Sequence, residues 1–158
     1  MKIAYFVVAA VLVAAGVLGV FLSFGPVLEV SDVAMRRGTQ AGGIFLNLHN
    51  RGLFRDCVVE AEVIGEGPLG EVRLKTELHR TVMEGDVMKM VKVERICVEP
   101  LSTVKMRGVE GEGYHIMVFG DLEKFESFHV HLKMESGRIV HFDVAPEGHS
   151  DHTHDHKH

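Results

Sequence analysis

The chain has 158 residues, 46% hydrophobic and 25% charged, with a formal net charge of −5; less any membrane segment, that is enough for one modest domain. The acidic balance, with Lys and Arg interspersed among Asp and Glu, supplies no basic field for a phosphate backbone and excludes nucleic acid as an expected partner. Cys57 and Cys97 are the only cysteines and lack a CxxC spacing, which excludes a thioredoxin-like motif and a thiolate zinc site and leaves either small buried residues or one disulfide.

Residues 1–25 form the first unit. After Met1-Lys2, residues 3–24 carry no charge; as a helix rising about 1.5 Å per residue they would cover the roughly 30 Å of a bilayer core. The run exceeds the about 7–15 residues of a secretory apolar region, and no good small-x-small site follows it before Gly25-Pro26. One N-terminal transmembrane helix acting as a membrane anchor is therefore expected, with Lys2 holding its short end in the cytoplasm. The domain then lies on the extracytoplasmic side of the cell envelope. The alternative is a cleaved signal, leaving a secreted or periplasmic domain.

Over 26–145 apolar and polar residues mostly alternate at period two, broken by Gly and Asp-Gly-type steps. The pattern predicts strands at Gly43–Asn50, Cys57–Ile64, Val72–Thr81, Val87–Val98, Ser102–Arg107, Tyr114–Phe119, Phe128–Met134 and Arg138–Val144. With no convincing helical period, this is an all-β antiparallel barrel or sandwich. Residues 146–158, PEGHSDHTHDHKH, have no apolar residue after Pro146 and are expected to be a disordered His-rich tail. His149, His152, His154, His156 and His158 in it form a possible secondary metal tract for Cu(II), nickel or zinc.

The stretch HRTVMEGDVMKM, His79 to Met90, gathers three of eight methionines around one turn. If Glu84-Gly85 are the central turn residues, His79 faces Met90, Glu77 faces Lys92 and Lys75 faces Glu94, giving a polar face opposite a largely apolar one. His79, Met88 and Met90 then stand away from the core. In Tyr114-His115-Ile116-Met117-Val118, His115 and Met117 share one face and Ile116 and Val118 the other. A third hairpin, turning at Glu135–Gly137, aligns Phe128 with Val144, Val130 with Phe142 and Leu132 with Val140, and sets His131 opposite His141 on the outside. Met106 and Met134 are expected in the core.

Two strands that each offer one His and one Met off the core suggest a site of His79, Met90, His115 and Met117. Neutral, soft thioethers with imidazoles favour Cu(I) over zinc, magnesium or calcium. Zinc hydrolysis fits poorly because no carboxylate base stands near the set, so no enzymatic activity is expected. A blue-copper centre would need a Cys thiolate beside two His, and neither cysteine has a nearby histidine in the required loop.

The order His79, ten residues, Met90, then His115-x-Met117 resembles the H-x10-M-x21-H-x-M signature of the PCu(A)C periplasmic copper chaperones. HRTVMEGDVMKM and GYHIMVFG resemble that family's two motif blocks, and GGIFLNLHNRG its early block; the likeness spans roughly Val30 to Val144. Residues 91–114 make the middle spacing 24 rather than 21, three extra residues that fit an enlarged loop around Arg107–Gly113. The resemblance implies a cupredoxin-like β-barrel binding Cu(I) as cargo through those four residues. It also implies delivery of copper to the copper-site subunit of a membrane cytochrome oxidase, often beside a Sco-type thioredoxin-fold protein. Two other functions are weighed against it: a copper-storage, scavenging or sensing module using mainly the tail, and a cupredoxin electron carrier.

Overall fold

A computed structural model describes residues 2–23 and 27–146, with helix side chains described over 4–19. The secondary His tract from His149 to His158 thus lies outside the described residues. The apolar N-terminal run forms α1, Lys2–Ser23, but among the described residues no helix is long and apolar enough to cross a membrane. The expected transmembrane helix is in that respect corrected: a helix is present at the expected place, but it does not meet the length and apolarity of a membrane span.

The rest of the described residues form a β domain of ten strands, β1 Leu28–Arg37, β2 Ala41–Asn50, β3 Asp56–Gly67, β4 Gly70–Glu84, β5 Val87–Lys92, β6 Ile96–Val98, β7 Ser102–Met106, β8 Tyr114–Phe119, β9 Ser127–Met134 and β10 Ile139–Val144, with two single 3-10 turns at Gly108–Glu110 and Leu122–Lys124. Antiparallel neighbours run β1-β2-β8-β4-β3-β9-β10, with β5 added to β4, β6 to β3 and β7 to β2. Since β1 and β10 also touch, the sheet nearly closes. The pivot is β4. Its first residues, 70–74, pair with β3, its next, 75–80, with β8, and its last, 79–84, with β5. One long strand therefore ties the two halves of the barrel together.

Period-two alternation decides which side chains are buried. Ile44, Leu46 and Leu48 of β2, Ile116 and Val118 of β8, and Phe128, Val130 and Leu132 of β9 are fully buried. Met106 and Met134 are in the core as expected, joined by Met35. The β9–β10 register is the expected one, His131 opposite His141 included.

Two strand assignments differ from expectation. β1 escapes the alternation rule because a bulge lies between Ser31 and Ala34, with Asp32 at φ 50°, so its inward positions change parity midway. The expected strand 87–98 is two strands, because β5 stays on β4 while β6 crosses to β3. That crossing brings Cys57 and Cys97 opposite one another, and they form a disulfide.

The disulfide closes a loop of sequence separation 40, and restricting the unfolded chain by that much is worth about 4 kcal/mol at 25 °C. The double variant Cys57→Ala/Cys97→Ala is expected to lose about that much in urea unfolding. A loss under 1 kcal/mol would show that the bond does not constrain the unfolded chain.

Candidate metal centre

The outer face of four adjacent strands, β2, β8, β4 and β5, carries the expected ligands. In β8 the core takes Ile116 and Val118, so His115 and Met117 point outward; Leu78 of β4 pairs with Ile116, so His79 does as well. His79 and His115 are direct cross-strand partners, with ring centroids 5.8 Å apart.

The β4–β5 register corrects one expectation. His79 faces Lys92, and Met90 faces Thr81. The turn residues are Gly85-Asp86, not Glu84-Gly85: Gly85 has φ 64°, and glycine in the first central position is the type II′ hairpin arrangement. The shift is two residues, so every side chain keeps its face and Met90 becomes a diagonal rather than direct neighbour of His79, still within reach of a long side chain. The expected Lys75–Glu94 pairing gives way to Lys75 with Glu77 at 3.5 Å, while Lys92 reaches Glu77 at 3.6 Å. β5 is an edge strand exposed along its whole length.

Met90, Met88, His115 and Met117 line one open pocket of about 390 Å³, with Thr81, Arg36 of β1, Ala41, Gly42, Gly43 and Phe45 of β2, and the loop Arg107–Glu110 as its other walls. His79 is not part of that wall; it adjoins it through His115. Met83, paired with Met88 at the turn, is exposed and away from the pocket. Met90 is 64% exposed, whereas His115 is only 3% exposed. Phe45 causes much of that difference by stacking on the His115 ring at 5.9 Å. It also explains Gly43, which pairs with Met117: a Cβ there would meet the Phe45 ring at 2.9 Å. Leaving it off makes room for the ring.

Hydrogen bonds set which nitrogens are free. His79 Nε2 lies 3.0 Å from Glu77 Oε2. The Glu77 carboxyl is held below its usual range, first by that bond and then by Lys92 and Lys75. An ionised carboxylate only accepts, so Nε2 carries the proton and Nδ1 of the neutral ring holds a lone pair. That Nδ1 is buried and has no partner; Asn47 Oδ1 is the other such atom among the described residues. A carboxylate orienting an imidazole whose second nitrogen is free is the outer-shell arrangement of metal-ligating histidines. His115 Nδ1 donates to Gly113 O at 3.3 Å, leaving Nε2 as its lone-pair nitrogen. Burial lowers the His115 pKa, outweighing the Gly113 bond, so its ring stays neutral near pH 7. Among the described residues no three His, Cys, Asp or Glu gather to hold one ion; the donors that do share this face are two imidazoles and the thioethers of Met88, Met90 and Met117.

Sequence reasoning missed Phe45, Gly43 and the role of Glu77 toward His79. Only the last left a signal: residues 77 and 79 of one strand share a face.

The sequence model of the family described as "Putative lipoprotein LpqE-like" matches residues 28–146, and the chain belongs to that family. Its only two cysteines are bonded to each other. Among solved structures the barrel is similar to the copper-bound PCuAC domain from PmoF2, with TM-score 0.55 and 16% identity over 77% of this chain and 92% of that one. The apo PCuAC domain from PmoF1 is similar at TM-score 0.55 and 14% identity, over 77% and 93%. At these identities the likeness concerns the fold. No curated protein matches the chain.

Two histidines should titrate in opposite directions. His115, its pKa lowered by burial, adds stability that is full above pH 6.5 and lost as pH falls through its folded value. His129, its pKa raised by Asp143 and then Glu66, adds stability present below 6.5 and lost as pH rises through its folded value. Ring-proton NMR of the metal-free protein is expected to place the His115 midpoint below 6.5 and that of His129 above it; the reverse order would contradict these environments.

Proposed function

We propose that the chain is an extracytoplasmic copper carrier that holds Cu(I) as cargo through His79, Met90, His115 and Met117 and passes it to the copper-site subunit of a membrane cytochrome oxidase. The observation that carries this reading is the convergence of Met90, His115 and Met117 on one pocket, with the buried, unpartnered Nδ1 of His79 beside it. Two neutral imidazoles and two thioethers form a soft donor set without net charge, suited to Cu(I). The solved PCuAC domain from PmoF2 that shares this fold is copper-bound, which supports the same cargo here. With Cys57 and Cys97 bonded to each other, no described thiolate is available for a blue-copper electron carrier.

The gradient of exposure suits release. Met90, on the exposed edge strand, is where an acceptor ligand can replace a thioether first; His115, beneath Phe45, is the last to let go. The acceptor in this reading is a membrane oxidase assembled with a Sco-type thioredoxin-fold partner. The disulfide and the charge-free N-terminal segment accord with an exported domain. Cu(II) captured by the tail would require reduction by another protein before loading.

Anaerobic Cu(I) titration against a competing soft chelator tests this. The full chain is expected to show one tight site that survives removal of 147–158. Met90→Leu and His115→Ala should weaken it severely. Glu77→Gln, which removes only the carboxylate behind His79, should weaken it by about 10–100-fold. If removing 147–158 abolishes Cu(I) binding, copper is held by the tail and the carrier reading fails.

A further inference from the structure

The opposite half of the barrel carries a second pair of facing imidazoles. His131 of β9 and His141 of β10 are direct cross-strand partners on the outer face, with ring centroids 4.5 Å apart and planes at 80°. Neither ring has a hydrogen-bond or ion-pair partner among the described residues, although every carboxylate around them is engaged. Glu62, opposite His131 on β3, is held by Arg73 at 2.9 Å and Lys133 at 3.4 Å. Asp143 and Glu66 clasp the two nitrogens of His129 at 2.6 and 3.2 Å. Glu60 is taken by Lys133 at 3.1 Å.

The geometry points to a chelating site for a borderline divalent transition ion, Cu(II) foremost, formed by His131 and His141. With metal–nitrogen bonds of about 2.0–2.1 Å, an imidazole centre lies roughly 3 Å from its ion, so rings 4.5 Å apart subtend an angle of roughly 90–100°. That is the angle between adjacent ligands of a tetragonal ion. The His79–His115 rings, 5.8 Å apart, subtend well over 120° on the same basis, which suits an ion without a square-planar preference. Imidazole donors without a free carboxylate disfavour magnesium and calcium, and Cu(II) heads the divalent affinity order. The inward neighbours of His131, Val130 and Leu132, are fully buried, and those of His141, Val140 and Phe142, pack partly buried against the same core, so both rings stand on paired, core-backed strands. The two halves of one barrel thus offer donors for different oxidation states: thioether with imidazole on β4, β5 and β8, imidazole alone on β9 and β10.

Paramagnetic broadening locates the ion. The probe is copper(II) sulfate, added below one equivalent to full-length protein in which His149, His152, His154, His156 and His158 are each changed to Gln, removing the competing tail donors. Amide signals of 129–133 and 139–143 should broaden first. His141→Gln added to that chain should abolish this broadening while leaving the spectrum folded, His131→Gln should do the same, and Met90→Leu should leave it unchanged. Broadening confined to the neighbourhood of His79 and His115, or unchanged by His141→Gln, would overturn the site. So would the absence of local broadening at one equivalent.

Discussion

Everything about the candidate centre depends on the pairing of β8 with β4. Leu78 and Ile116 face one another in the core, and the residues next to them, His79 and His115, are forced to the opposite side as partners. A slip of one residue would place both imidazoles in the core and expose the aliphatic side chains, which hydrophobic burial of about 1.5–3 kcal/mol per large side chain forbids. The core thus positions the ligands without touching them. The length of β4 adds to this, since the strand that carries His79 is anchored to β3 at one end and to β5 at the other.

That dependence also explains what was legible in the sequence. Face assignment follows from alternation alone, so Ile116 inside with His115 and Met117 outside, and the complete β9–β10 register, could be read directly. The β4–β5 turn could not be placed from the pattern, because moving it by two residues leaves every face unchanged. The deciding fact was the positive φ of Gly85 at the first turn position. β1 was hidden by its bulge at Asp32, while the split between β5 and β6 is marked by a change of phase, the inward side chains passing from Val93 to Ile96 and Val98, that the reading of one strand over 87–98 passed over. Phe45 and Gly43 left no local signal, since their importance comes from β2 lying beside β8.

The chemistry of the face follows from neutrality and graded access. Glu77 balances Lys75 and Lys92 and fixes the proton of His79, so the charges of the hairpin are spent on orientation. What the β4, β5 and β8 strands turn toward the pocket is imidazole and thioether beside Thr81, with Arg36, Arg107 and Glu110 on the other walls. Burial under Phe45 keeps His115 neutral, while the edge position of β5 leaves Met90 in solvent. A donor set that is soft, uncharged and exposed on one side can hold a monovalent ion and still yield it to a stronger acceptor, a property that an enclosed thiolate centre lacks. The disulfide joins both cysteines and so leaves no described free thiol to compete with that donor set.

The central claim concerns the identity of the atoms around the ion, and X-ray absorption at the copper K edge counts them. Full-length protein loaded anaerobically with one equivalent of Cu(I) is expected to show a monovalent edge and two sulfur with two nitrogen neighbours, the sulfur shell falling by one in Met90→Leu. A shell of nitrogen and oxygen alone would contradict the account, since the tail supplies imidazole and carboxylate but no sulfur.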